Sequence, residues 1–148
     1  MTTIAVDVFG RVAWDSQMTH INERLFPVHQ KVWVEDGCIL GAAGDVGAAQ
    51  MLGSWFRNGA RFQRKPDGDW DLLVVRPDRT LWIYDSSFNT AVEIISPYAI
   101  GSGGCYAKAA MAAGARADVA VKIACTFDIY SGLPVHTLDF NDVFKGSQ

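Results

Sequence analysis

The sequence predicts an α+β fold in which two antiparallel sheets stack face to face and helices cover their outer faces, a four-layer α-β-β-α sandwich. Three observations predict it. Short β-prone runs come as consecutive hairpins before any helical pattern appears, and helical periodicity then enters in blocks between groups of strands. The resulting order of strands, one helix, strands, two helices and one strand lacks the strict alternation of a doubly wound parallel sheet. With 148 residues, 49% hydrophobic and 20% charged, the chain suits a single domain, residues 1–148, around a continuous core.

Thr2 to Val8 and Arg11 to Asp15 are β-branched and apolar runs joined by Phe9-Gly10, an opening hairpin. Lys31 to Val34 and Cys38 to Ala42 form a second, split by the turn residues Glu35-Asp36-Gly37. From Asp45 the period changes: Ala48, Ala49, Leu52, Trp55 and Phe56 build one helical face that ends near Asn58-Gly59. Asp45 places a carboxylate at the positive end of that helix, just after the Gly44 amide.

The polar stretch Arg61 to Asp69 contains the turn Pro66-Asp67-Gly68. Asp71 to Arg76 and Thr80 to Asp85 pair around Pro77-Asp78-Arg79, and Val92 to Ile95 extends the same sheet. Gly101-Ser102-Gly103-Gly104 opens an Ala-rich helix, Cys105 to Ala113, closed by Gly114. A further helix over 117–130 aligns Val119, Ile123 and Phe127, with Ala120 and Ala124 beside them, and Gly132 stops it. Val135 to Phe140 alternates as a last strand, and 141–148 reads as a frayed tail.

A formal charge of −3 and a pI near 5.5 leave no basic footprint for nucleic acid, since the positive stretch Arg57 to Lys65 is interrupted. No basic-then-apolar leader and no run near the roughly 18 apolar residues of a membrane span is present, so a cytoplasmic chain without membrane contact is expected. Cys38, Cys105 and Cys125 are odd in number, widely spaced and set among apolar residues, as reduced core thiols are. His20, His29 and His136 lack ligand spacing, so no metal and no cofactor is expected. A phosphate-loop reading of Gly101 to Gly104 fails, because Tyr106 stands where the third glycine of Gly-x-Gly-x-x-Gly belongs. The five tryptophans suit core or interface anchoring.

The candidate chemistry begins at the second residue. Thr2 opens a β-branched strand directly after Met1, so loss of one residue exposes a threonine with a free α-amine. An amine with a pKa of about 7.7–8.0 can accept the proton of an adjacent alcohol near neutral pH, which places nucleophile and base on one residue.

Six motifs support that start: Met1-Thr2-Thr3-Ile4; Asp15 after the second strand; Gln30-Lys31-Val32; Gly41-Ala42-Ala43-Gly44-Asp45; Ile100 to Gly104 with Tyr106-Ala107; and Asp128-Ile129-Tyr130-Ser131-Gly132. In that order and spacing, nearly the whole chain resembles the proteasome β-subunit and its bacterial HslV-type relative, the N-terminal-nucleophile (Ntn) threonine peptidases. The resemblance implies an Ntn-hydrolase sandwich with Thr2 as nucleophile and its own amine as base. It further implies Lys31 beside the Thr2 hydroxyl, Asp15 pairing with Lys31, the Gly44 amide as oxyanion donor, and Ser102, Asp128 and Ser131 binding the amine and relaying its proton. The spacing of Asp128 and Ser131, three apart at an expected helix end, lets them share one face.

The same resemblance implies unfolded polypeptide or peptide as substrate, a self-compartmentalising homo-oligomer, and an unfoldase ATPase as partner. Two features depart from HslV: Gly59 to Asp69 replaces a second long helix, and Met18 to His29 differs where a substrate groove is expected. Two other functions fit the residues. One is a catalytically silent proteasome-like scaffold that keeps Met1, and the other is an Ntn amidase acting on a small molecule.

Overall fold

The computed structural model describes residues 2–20, 23–25, 31–60 and 64–145. Along the chain run β1 (Ile4–Val6), β2 (Arg11–Trp14), β3 (Met18–His20), β4 (Glu23–Leu25), β5 (Val32–Glu35), β6 (Cys38–Gly44) and α1 (Val46–Arg57). These are followed by β7 (Trp70–Val75), β8 (Leu81–Asp85), β9 (Val92–Ile94), β10 (Tyr98–Ile100), α2 (Gly104–Ala112), α3 (Ala117–Phe127), β11 (His136–Asp139) and α4 (Phe140–Val143). One sheet has the order β10-β1-β2-β11 and the other β5-β6-β7-β8-β9, with every neighbouring pair antiparallel. β3 and β4 pair antiparallel as a separate two-stranded sheet.

Alternation along the strands sorts the core. Ile4, Val6, Val12 and Trp14 from the first sheet join Ile39, Leu73, Val75, Leu81 and Ile83 from the second in one buried cluster. The opposite faces meet helices. Leu40, Leu72 and Val74 pack with Leu52 and Trp55 of α1, whereas Ala5, Ala13 and Ala99 pack with Ala107 and Met111 of α2 and Ala120, Val121 and Ala124 of α3. Small residues on both sides of that second contact let the helices lie close to the sheet. The fold is thus α+β, with antiparallel sheets and, among the described residues, four helices.

Asp7 anchors α3. Its Oδ1 accepts the Phe9 and Arg11 amides at 2.9 and 3.0 Å, closing the β1–β2 turn, and its Oδ2 accepts the Ala117 amide at 2.9 Å. That carboxylate, only 2% exposed, satisfies one orphan N–H at the start of α3 and adds a favourable charge at the positive end of its dipole.

Several expectations are corrected. The helix expected over 117–130 stops at Phe127, because the Asp128 side chain accepts the Tyr130 amide at 3.2 Å in a local turn that competes with helix. Its buried face is Ala117, Ala120, Val121 and Ala124, while Val119, Ile123 and Phe127 face outward. Small residues win the contact because the sheet beneath presents alanines. Tyr98–Ile100 is a strand paired with β1, and the start of the expected tail is α4, whose Phe140 is buried with Phe144 in an edge-on ring pair 5.9 Å apart. Residues 146–148 of that tail, and Met1, His29 and Gln30, lie outside the described residues. Cys105 is exposed rather than in the core, whereas Cys38 is buried and Cys125 partly so.

Candidate active site

Thr2 and Thr3 lead into β1, and the glycine-rich loop before α2 wraps their backbone. Gly101 has φ +93, and a Cβ there would stand 2.0 Å from the Thr2 carbonyl oxygen. Only glycine allows this approach. The Gly103 amide donates to the same carbonyl at 3.3 Å. These glycines therefore serve close packing on the N-terminal strand.

A continuous set of hydrogen bonds then runs through the expected residues. The Thr2 nitrogen donates to Ser102 Oγ at 3.3 Å, and Ser102 donates to Asp128 Oδ2 at 2.7 Å. Ser131 donates to that same Oδ2 at 2.6 Å and lies 2.6 Å from Thr3 Oγ1. The Thr3 amide donates to Asp15 Oδ1 at 3.0 Å, and Lys31 Nζ donates to that oxygen at 2.7 Å. Thr2, Asp15, Asp128 and Ser131 are buried, with Asp15 at 0% exposure. Asp128 and Ser131 come together through a turn rather than through a shared helix face, the Ser131 amide donating to the Asp128 carbonyl at 3.2 Å.

Asp15 is saturated with donors. Besides Lys31 and Thr3 on Oδ1, its Oδ2 accepts the Gln17 and Gly132 amides at 3.1 and 3.0 Å. A buried carboxylate needs such partners to offset its lost hydration. Lys31 also donates to the Gln17 carbonyl, and its side chain is 11% exposed. Burial holds the Lys31 ammonium below the ordinary lysine range, with Asp15 opposing that shift through its charge and hydrogen bond. The nearby Cys125 thiol is pushed up to about 11 by burial and by the Asp15 charge, so it stays protonated at neutral pH.

Gly44 is not a member of this hydrogen-bonded set and lies at the exposed end of β6. Its φ is +114, and a Cβ would meet the Asp69 carbonyl oxygen at 2.2 Å. Asp45 follows as the residue before α1, but its carboxylate accepts the Asp69 amide at 2.8 Å and makes no side-chain bond to the helix. The carboxylate at the start of α1 thus also braces that helix against the start of β7. β6 itself passes close to the N-terminal strand, since a Cβ on Gly41 would lie 3.2 Å from the Ile4 side chain.

Sequence reasoning gave no role to Thr3 and Gly132, which lie within the quoted motifs, and did not single out Gln17. Gln17 is 1% exposed, and its Nε2 donates to the Ile129 carbonyl at 2.9 Å, tying the Asp15 loop to the Asp128 loop. Its only signal was a place two residues after Asp15. A second acidic feature is the cross-strand pair Asp71 and Asp85, which lines a cavity of about 360 Å3 with Tyr98, Gly101 and Lys108. A larger groove, about 810 Å3, lies between the end of α1 and β8 and includes no member of the Thr2–Lys31 set. Among the described residues no group of three or more His, Cys, Asp or Glu could hold a metal ion, and no helix is long and apolar enough to cross a membrane.

Solved structures share this architecture. BPH of Thiobacillus denitrificans in complex with epoxomicin superposes with a TM-score of 0.72 at 21% identity, over 93% of this chain and 97% of that one. The chain has the fold of BPH. A second structure of that protein gives 0.72 at 22% identity, over 93% and 96%. Anbu (ancestral beta-subunit) of Yersinia bercovieri gives 0.63 at 13% identity, over 93% of this chain and 80% of that one. No family model matches the sequence, and no curated protein matches it. The structural likeness is to a β-subunit-like fold and does not single out HslV.

Proposed function

We propose that this protein is a proteasome-like Ntn threonine peptidase, built as a four-layer α-β-β-α sandwich, in which Thr2 becomes the N-terminal nucleophile once Met1 is removed. The observation that carries the reading is the route from the Thr2 nitrogen through Ser102 to Asp128, joined through Ser131 and Thr3 to the Asp15–Lys31 pair. The fold shared with BPH, solved with epoxomicin, supports it.

In this mechanism the Thr2 hydroxyl attacks the peptide carbonyl while its proton passes to the α-amine. Ser102, whose own proton is directed to Asp128, offers lone pairs to that nitrogen and turns the nitrogen's lone pair toward the hydroxyl. The Lys31 ammonium stabilises developing charge on the oxygen, and its lowered pKa also lets it exchange protons more readily than a solvated lysine. The Gly44 amide supplies the oxyanion donor. Collapse breaks the C–N bond, the amine product leaves with the proton held by the α-amine, and an ester on Thr2 remains. Water then attacks the ester, giving a carboxylic acid and restoring the hydroxyl.

Unfolded polypeptide is the proposed substrate, in a cytoplasmic homo-oligomer that encloses the sites. Exposed apolar side chains on one side of α2 and α3, including the stacked Tyr106 and Phe127, support self-association. Protein with Thr2 at its N-terminus is expected to hydrolyse unfolded casein or fluorogenic peptides, and Thr2→Ala to abolish that hydrolysis. An unimpaired Thr2→Ala variant would refute the mechanism.

A further inference from the structure

Thr3 is fully buried and bonds to both halves of the site, yet the mechanism above gives it no task. We propose that Thr3 is a positioning residue whose hydroxyl, by donating to Ser131, fixes the direction of the hydrogen bonds that converge on Asp128 and reach the Thr2 nitrogen. This inference rests on the proposed role of Thr2.

The direction follows from counting protons. Each hydroxyl has one proton to donate. Ser131 spends its proton on Asp128 Oδ2 at 2.6 Å, and Ser102 does the same at 2.7 Å, a much shorter contact than the 3.4 Å to the Thr2 carbonyl. In the 2.6 Å contact between Thr3 and Ser131, Ser131 must therefore accept and Thr3 must donate. Accepting that bond polarises the Ser131 hydroxyl and strengthens its own donation to the carboxylate. Because the same carboxylate oxygen serves Ser102, the charge left to act on Ser102 and the Thr2 amine depends on Thr3.

The site leaves Thr3 no freedom to do otherwise. A Cβ on Gly103 would lie 1.9 Å from Thr3 Oγ1, so the hydroxyl occupies space that only glycine at position 103 can leave. The Thr3 amide is fixed on Asp15 at 3.0 Å. Thr3 thus links the Lys31–Asp15 pair to the Asp128 network through its hydroxyl and amide, alongside the Gly132 amide and Gln17.

Thr3→Val keeps the shape and removes the donor, and Thr3→Ser restores the donor. In protein starting at Thr2, the α-amine is titrated by its 15N chemical shift, and kcat and KM are measured across pH on a fluorogenic peptide. With Ser131 no longer polarised, more of the Asp128 charge acts on the amine. Thr3→Val is then expected to move the amine titration and the acid limb of kcat/KM to higher pH by about 0.3–1 unit, and to lower kcat at pH 7 by about two- to tenfold with KM unchanged. Thr3→Ser is expected to recover both. Should Thr3→Val fail to fold, Thr3→Ala carries the same comparison. A donor-less variant with wild-type amine titration, or a Thr3→Ser variant as impaired as the valine one, overturns the proposal. A wild type that cleaves nothing while its amine still responds to Thr3→Val, and recovers in Thr3→Ser, keeps Thr3 as a positioning residue and removes the peptidase reading.

Discussion

The Lys31 ammonium and the Thr3 amide donate to one and the same oxygen, Asp15 Oδ1, at 2.7 and 3.0 Å. This shared acceptor fixes the lysine relative to the N-terminal strand. A carboxylate with no exposed surface thus sets the position of the only charge proposed to act on the Thr2 hydroxyl.

Removing that acceptor takes the charged partner from a partly buried ammonium, which still donates to the Gln17 carbonyl, and leaves three backbone amides without theirs. Asp15→Ala is expected to destabilise the protein by about 3–5 kcal/mol, the range for breaking a buried pair from one side. Asp15→Asn, which keeps the shape, is expected to lose less stability but most of kcat. Urea unfolding and peptide hydrolysis on the same preparations check both expectations.

Asp7 tests how the fold positions the site. Its carboxylate holds the β1–β2 turn and the first residue of α3, the helix that leads into Asp128. Asp7→Ala is expected to cost about 2–4 kcal/mol, since hydrogen bonds to a charged group each contribute about 1.5–3 kcal/mol and their losses are not additive. Thermal unfolding of Asp7→Ala against Asp7→Asn, which retains an acceptor, reads this directly.

The Asp71–Asp85 pair predicts a pH signature. Burial, the hydrogen bond to Asp85 and its charge raise Asp71 from 3.8 to about 7, while Asp85 is held below its ordinary value by the hydrogen bond from Asp71. Asp71 is the more buried partner and keeps the shared proton. The folded state then holds a proton that the unfolded state has released, so this group's contribution to stability falls as pH rises from about 4 to about 7. Asp71→Asn is expected to flatten stability across that window and to raise it at pH 7.5. Melting temperatures from pH 4 to 8 provide the measurement.

Gly44 predicts a steric outcome. With φ at +114 and a Cβ that would sit 2.2 Å from the Asp69 carbonyl oxygen, Gly44→Ala must displace the β6–α1 junction. A loss of about 2 kcal/mol or more is expected from backbone strain alone. Peptide hydrolysis is expected to fall further than stability, and comparing kcat at a temperature where the variant remains folded separates the two.

Much of this was legible in the sequence where the signal is local. Alternation and turn residues gave β1, β2, β5 to β8 and α1 to within a few residues, and the motif order led to Thr2, Asp15, Lys31, Ser102, Asp128 and Ser131, which the fold brings into one hydrogen-bonded set. The failures are tertiary. The end of α3 and its buried face were missed because alanines beneath it favour small contacts, and a side-chain turn at Asp128 outcompetes one more helical turn. Tyr98–Ile100 is too short to announce itself as a strand, and it becomes one by pairing with β1. Thr3 and Gln17 carry no pattern of their own, since their roles come from what a distant loop places beside them.

With a free α-amine, Thr2 is proposed to react as a nucleophile. The most direct measurement is intact mass and peptide mapping of protein starting at Thr2 after incubation with epoxomicin, beside Thr2→Ala and the Met1-retaining form. One adduct per chain, mapped to Thr2, is expected in the first sample and none in the other two. Unmodified protein that starts at Thr2, or an adduct that persists in Thr2→Ala, would contradict it.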